Sequence, residues 1–378
     1  MPFGVVRPHG DDARVVVRIE DRVLDLAAAG IAPELTARPI LNALMASGRG
    51  SEVRDQAGEL LNGKNFEQFL LDLDDVDVLL PVAVGDYVDF YSSIHHATNL
   101  GKIFRPEGEA LLPNWRQIPV GYHGRTGTIV VSGTPITRPR GVVTDLLTGN
   151  PSCGPSETLD FELEVGFFVG GSTASHIAPD TADAHIFGAV LCNDWSARDI
   201  QRFEYQPLGP HLGKSFGTTI SPWVVTMDAL RPYLVRPPKQ DPTPASYLRA
   251  RRPWALDIDL QVTLNDEEIT RTNFARMYWT FAQQLAHITV NGATTRAGDF
   301  FASGTVSGPN PGEWGSLIEA SWNGTKPLML KEDVRSFLEN GDTITLRGWC
   351  GDGTKSRPRI GFGEATGTVV PAPEERRD

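Results

Sequence analysis

Leu159-Asp160-Phe161-Glu162-Leu163-Glu164-Val165-Gly166-Phe167-Phe168-Val169 alternates acidic and apolar residues and then turns wholly apolar. In an extended strand, side chains two apart share a face, so Asp160, Glu162 and Glu164 align opposite Phe161, Leu163 and Val165. An ordinary half-solvated strand has this pattern. Here, however, the run continues into residues 166–169, which read as buried on both faces. Carboxylates on a strand entering a core need a cation or hydrogen-bond donors, because an unpaired buried charge costs several kcal/mol. A solvated strand and a metal site both remain open on these residues alone.

Outward from this strand, short β-branched runs recur at 128–132, 223–226, 256–264 and 343–346, separated by Gly and Pro. The 38 glycines and 28 prolines fit a β-rich fold joined by long ordered loops. The first eighty residues read as a small unit. Val15, Val16 and Val17, a turn at Glu20-Asp21, then Val23, Leu24 and Leu26 predict a hairpin, and two helix-like stretches follow near 41–45 and 66–73. Pro81 breaks an apolar run, and a boundary there divides the chain into domains 1–82 and 83–378. Segments 137–156 and 231–253, the latter with six prolines, read as linkers or ordered excursions.

A chain of 378 residues is long enough for two or three domains. Its 35 Lys and Arg against 47 Asp and Glu leave a net charge of −12, which repels phosphate backbones and argues against nucleic acid. Three cysteines (Cys153, Cys192, Cys350) without a CxxC pair offer no disulfide framework. MPFGVVRPHG has no apolar signal region, and no run approaches the roughly 18 apolar residues of a membrane span. The expectation is a cytoplasmic protein without a membrane partner.

Three motifs mislead. Gly213-Lys214-Ser215-Phe216-Gly217 fits the G-x-S-x-G elbow, but that motif needs a strand before the serine and a helix after it. Pro207, Gly209 and Pro210 precede it and Thr218-Thr219-Ile220 follow, which is the reverse. The same lysine closes a near P-loop whose first glycine, Gly209, is one residue too close. The Gly361-Phe362-Gly363 run with Gly367 is one residue too long for a dinucleotide fingerprint.

Two further stretches carry chemistry. Residues 89–99, DFYSSIHHATN, concentrate polarity, and read blandly as a capped loop with two surface histidines. In 185–205 an apolar strand runs up to Asn193-Asp194, and Ser196 with Asp199 resembles a capping box opening a helix. Arg198, Gln201 and Tyr205 then fall at i, i+3 and i+7 on one helical face, beside Asp194. Asp89, Glu162, Glu164 and Asp194 together would make an all-oxygen set suited to Ca²⁺ or Mg²⁺, with Lys214 and Arg198 offsetting the remaining charge.

These stretches, with LLPNWRQIPVGYHGR (111–125), PLGPHLGKSFGTTISPWVV (207–225), MYWTFAQQLAH (277–287) and FASGTVSG (301–308), strongly resemble the fumarylacetoacetate hydrolase family. The resemblance runs in order from about Asp86 to Gly367, and the first eighty residues share it more loosely. It implies an α+β, mostly β fold: a small N-terminal SH3-like barrel followed by a large C-terminal mixed β-roll, in a homodimer. It implies hydrolysis of a carbon–carbon bond in the β-diketone 4-fumarylacetoacetate, giving fumarate and acetoacetate at the end of tyrosine and phenylalanine breakdown. By the same resemblance Asp89, Glu162, Glu164 and Asp194 are metal ligands, and His96, rather than His95, is the catalytic histidine with Glu319 as its partner. Arg198, Gln201 and Lys214 surround the reacting centre, Tyr91, Arg105, Tyr122, Gln201, Tyr205 and Thr305 contact substrate, and Thr218 with Asp194 and Lys214 marks a second Mg²⁺ position.

The reaction itself asks for these groups. A diketone chelates a divalent cation, which polarises its carbonyl. Water needs a general base, and an imidazole with an unperturbed pKa near roughly 6.5 suits neutral pH. The developing alkoxide needs preorganised donors, and a substrate carboxylate suits a guanidinium. The competing reading is an acylpyruvate hydrolase, decarboxylase or isomerase of the same superfamily. The choice between Ca²⁺ and Mg²⁺, the oligomeric state, a close substrate analogue and the role of 231–253 are left open by the sequence.

Overall fold

The expected hairpin forms: strand Arg14–Ile19 turns at Glu20-Asp21 and pairs antiparallel with Arg22–Asp25. In this computed structural model, which describes residues 1–63, 65–144 and 148–374, Phe3–Pro8, Leu70–Asp72 and Val76–Leu79 complete a five-stranded antiparallel sheet. Helices Asn42–Ser47 and Gly50–Leu61 lie alongside, the first matching its expected place. The helix expected over 66–73 is corrected: two single 3-10 turns flank strand Leu70–Asp72. Its apolar spacing mimics a helix, but pairing with residues 22–24 claims its backbone. The true second helix, 50–61, buries only Gly50, Val53 and Ala57, too sparse an apolar stripe to stand out.

The larger part of the chain is built on a mixed sheet. Its order is Gly121–His123, Tyr87–Phe90, Phe300–Ala302, Leu163–Val169, Ile186–Asp194, Thr218–Ile220 and Ile129–Val131, with Val225–Thr226 also paired to Ile186–Asp194. Two of its pairings are parallel and the others antiparallel. Every residue of Leu163–Val169 is buried, because both faces are covered. Leu163, Val165 and Phe167 face one core, while Phe168, Val190, Cys192 and Phe300 pack with Phe3, Val5 and Val15 of the N-terminal sheet. Gly166 leaves room for Phe300, whose ring would lie 2.3 Å from an added Cβ. A second sheet, Glu267–Asn273, Asp259–Leu264, Thr343–Cys350, Ile360–Val370 and Ile136–Thr137, shares the first core.

The expected continuous acidic strand is interrupted. Leu159–Asp160 leaves the sheet to form a two-residue ladder with Ser196–Ala197, and the sheet strand begins at Leu163. Asp160 therefore does not share a face with Glu162 and Glu164. Segment 231–253 is ordered: Gln240 bonds Gln283, and Gln283 bonds the Leu248 carbonyl, holding it on helix Phe281–Thr289. Within 137–156, strands Arg140–Thr144 and Pro151–Pro155 make a hairpin, and residues 145–147 of that excursion lie outside the described residues. Lys214 follows a 3-10 turn, and a strand, Thr218–Ile220, comes after it, so the G-x-S-x-G context is indeed the reverse of an elbow.

Candidate active site

Antiparallel pairing sets Leu163 opposite Asn193, so the start of one strand and the end of its neighbour meet at one rim of the sheet. The parallel pairing of 87–90 with 300–302 brings Asp89 to the same rim. Asp89, Glu162, Glu164 and Asp194 thus converge, one oxygen from each lying within 4.8 Å of the others, and all four are buried.

Unneutralised, such a cluster would repel itself. Lys214 Nζ lies 2.5 Å from Glu162 Oε2 and 2.9 Å from Asp194 Oδ2, and Arg198 Nη1 lies 2.7 Å from Glu162 Oε1. Burial alone would raise Glu162, but Lys214 and Arg198 hold it well below the usual carboxylate range. Asp89 and Glu164 go the other way. Burial, then Asp194 for Asp89 and Asp89 for Glu164, pushes both well above that range. Asp89 Oδ1 and Glu164 Oε1 have no hydrogen-bond partner among the described residues. Tyr122 Oη sits 3.0 Å from Asp89 Oδ2 and 2.8 Å from Asp194 Oδ2, and its single proton can serve only one of them. Two orphaned oxygens in a four-carboxylate set fit a hard divalent cation, whose charge would meet both.

Beside the cluster, Ser93 Oγ caps helix Ile94–Phe104 by accepting the His96 amide. His96 is only 2% exposed, so the surface-histidine reading fails for it. Its Nδ1 lies 2.7 Å from Glu319 Oε2, and its Nε2 looks toward Glu162 Oε1 at 3.8 Å. Glu319 also accepts from Asn99 Nδ2 on Oε1 and from Ser307 Oγ and Ser316 Oγ on Oε2. Against the effect of burial, His96, Asn99 and Ser316 hold Glu319 below the usual carboxylate range. An ionised Glu319 places the shared proton on Nδ1 and leaves Nε2 as the acceptor nitrogen. His95 faces a separate hollow with Arg276 and Tyr278.

The helical stripe forms as expected. Arg198, Gln201 and Tyr205 all line one cavity of about 360 Å³ with Asp89, His96 and Glu162. Arg198 Nη1 donates to Gln201 Oε1 at 3.2 Å, which fixes the amide so that its NH₂ is free to donate. The capping box at Ser196 and Asp199 is corrected: Ser196 Oγ donates to the Asp194 carbonyl, and Asp199 accepts from Ser156 Oγ and the amides of Glu157 and Thr158. The helix begins at Arg198 without a side-chain cap because those amides have recruited Asp199.

Tyr91, Arg105, Tyr122 and Thr305 also line the cavity, together with the apolar Leu100, Phe104, Leu111 and Trp115. Arg105 Nη2 donates to the Ala110 carbonyl, while its Nε and Thr305 Oγ1 have no partner among the described residues. Tyr91 meets the His96 ring edge-on at 5.3 Å, and Tyr205 stacks on Phe104. Thr218 Oγ1 donates to Asp194 Oδ1 at 3.2 Å. Gly304, at φ 78°, approaches the Phe90 carbonyl and gives its amide to Glu164 Oε2. Sequence reasoning missed Asn99, Ser307 and Ser316. Asn99 carried a usable signal, since it stands three residues after His96 on the same helix.

An imidazole whose free nitrogen opens beside an all-oxygen cluster is the equipment of a hydrolase, and comparison with known proteins agrees. The chain belongs to the fumarylacetoacetate hydrolase family: residues 1–81 match the family description "Fumarylacetoacetase N-terminal", and residues 87–370 match "Fumarylacetoacetate (FAA) hydrolase C-terminal". It is 46% identical to a fumarylacetoacetase of Caenorhabditis elegans, over 98% of this chain and 96% of that protein. The human fumarylacetoacetase is also 46% identical (98% and 95% covered), and that of Arabidopsis thaliana 45% (99% and 95%). The fold is shared with a fumarylacetoacetate hydrolase from Exiguobacterium antarcticum at TM-score 0.59 and 19% identity, with 98% of this chain and 99% of that chain covered. It is shared too with a maleylpyruvate hydrolase from Sphingobium, solved with manganese(II) and pyruvate, at TM-score 0.57 and 16% identity over 99% and 100%. Among the described residues no helix is long and apolar enough to cross a membrane.

Proposed function

We propose that this chain hydrolyses 4-fumarylacetoacetate to fumarate and acetoacetate, the last step of tyrosine and phenylalanine breakdown. The observation that carries the reading is His96, bonded to Glu319 through Nδ1, with its Nε2 turned toward Glu162 in a cavity lined by Asp89 and Glu162 of the carboxylate cluster and by Arg105.

Asp89, Glu162, Glu164 and Asp194 would hold a divalent cation, Ca²⁺ or Mg²⁺, which when bound supplies Lewis-acid polarisation of the diketone oxygens. His96 Nε2 takes a proton from water as the water oxygen bonds to the fumaryl ketone carbon. Glu319 holds the ring in the required tautomer and stabilises the imidazolium. The ketone oxygen becomes an alkoxide, and the NH₂ of Gln201 and the ammonium of Lys214 donate to it, each such donor contributing about 3 kcal/mol. Collapse breaks the bond to the methylene carbon, whose electron pair delocalises into the neighbouring ketone of the acetoacetate fragment. Imidazolium then returns the proton to that carbon. Arg105, with Tyr91 beside it, grips a substrate carboxylate. Tyr122, Tyr205 and Thr305 complete the substrate wall.

The same reading includes domains 1–82 and 83–378, an SH3-like form for the first, a homodimer and a cytoplasmic location. A second Mg²⁺ at Asp194, Lys214 and Thr218 is supported by the Thr218 hydroxyl, although the Lys214 ammonium already supplies positive charge to Asp194.

Turnover in H₂¹⁸O tests the reaction class. Hydrolysis puts one ¹⁸O into the new carboxylate of fumarate, whereas a decarboxylase would release CO₂ and an isomerase would leave the carbon count unchanged.

A further inference from the structure

Asp160 is fully buried and belongs to none of the groups assigned above, yet it touches the supports of two of them. Its Oδ1 accepts from the amides of Leu317 at 2.7 Å and Phe161 at 2.8 Å. Its Oδ2 accepts from the amide of Ile318 at 3.0 Å and from Arg198 Nε at 2.8 Å. All four neighbours donate, so both oxygens must accept. A carboxylate meets that demand, whereas an amide side chain would turn its NH₂ toward two of the donors.

The amides of Leu317 and Ile318 belong to the single helical turn Leu317–Ala320 that carries Glu319. The guanidinium of Arg198 continues to Glu162 Oε1 and Gln201 Oε1. One side chain therefore spans from the backbone under the His96 partner to the cation that orients the alkoxide donor. We propose that Asp160 is a positioning residue: it sets Glu319 against His96 and Arg198 against Gln201 together, fixing the distance between the water-activating pair and the opposite wall of the cavity. The proposal rests on the hydrolase reading. A misplacement of about 1 Å in such a pair costs on the order of 100-fold in rate.

Asp160→Asn tests this, with Asp160→Glu, which keeps the charge but moves it by one methylene, read in the same way should the amide variant not fold. In the folded full-length protein, kcat for fumarylacetoacetate is expected to fall about 100-fold with KM little changed. The double variant Asp160→Asn/Glu319→Gln should lose clearly less than the product of the two single losses, because the Glu319–His96 arm is shared and only the Arg198–Gln201 arm is left for Asp160→Asn to disturb. The imidazole ¹⁵N shifts of His96, expected to show a proton on Nδ1 in the parent, should move toward a mixture of tautomers. A folded variant with parental kcat, or losses that multiply in the double variant, would overturn the proposal. If the parent itself does not turn over this substrate, the hydrolase reading fails separately. The ¹⁵N spectrum then decides alone, with unchanged His96 shifts in the folded variant counting against Asp160.

Discussion

His96 Nδ1 and Glu319 Oε2 are 2.7 Å apart although the residues are separated by 223 positions in the chain. Four donors meet on that one carboxylate, so it is held ionised in a fully buried place and the ring cannot turn without breaking the set. His96→Ala is therefore expected to lower kcat by about 10²–10⁴-fold, the usual contribution of a general base, and, by leaving the buried Glu319 one donor short, to lower the melting temperature as well. Initial rates beside a thermal melt check it.

The raised Asp89 and Glu164 give the cation-free protein a particular pH dependence. Their folded values lie above those of the unfolded chain, so their contribution to stability is complete below about pH 4 and is lost as pH rises through the folded values. Chelated protein should melt at progressively lower temperature between about pH 5 and pH 8, and added Ca²⁺ or Mg²⁺ should abolish the trend. Calorimetry in two buffers of different ionisation heat should show net proton release on cation binding.

Glu162 joins Lys214 and Arg198 in a buried ion cluster at the edge of the cavity. Glu162→Gln leaves both cations short of a partner and is expected to destabilise the fold by about 3–5 kcal/mol, read from urea unfolding of the chelated protein.

Arg105 is half-buried in the cavity wall with Nε unpartnered among the described residues. Arg105→Met should raise KM by about 10–100-fold, matching a charge-assisted hydrogen bond of about 1.5–3 kcal/mol, while kcat changes little.

Gly101 lies on the His96 helix, where an added Cβ would come 1.7 Å from the Ala110 carbonyl oxygen. Since that contact is backbone, Gly101→Ala must push away the loop between Arg105 and Trp115. A loss of about 1–3 kcal/mol in stability together with a raised KM is expected.

Much of this site was legible from local pattern. Residues 166–169 announce a strand buried on both faces, acids leading into that apolar run need a cation or donors, and the i, i+3, i+7 row of Arg198, Gln201 and Tyr205 follows from helical period. Other features escape such reading. A period of two assumes an unbroken strand, whereas Asp160 left it for a two-residue ladder. Ser196 and Asp199 fit a capping pattern, but amides at 157 and 158 outcompeted it. Helix 50–61 buries too few apolar side chains to declare itself, and residues 66–73 look helical until an edge strand pairs with them. The meeting of His96 with Glu319 has no signature in spacing, and resemblance to a family supplied it.

The most direct test of the central claim follows the ultraviolet absorbance of fumarylacetoacetate mixed with the purified protein, before and after chelation, with His96→Ala in parallel. The account predicts cation-dependent loss of the diketone absorbance, with fumarate appearing in equal amount and the variant nearly silent. Undiminished absorbance with folded, cation-replete protein would contradict it.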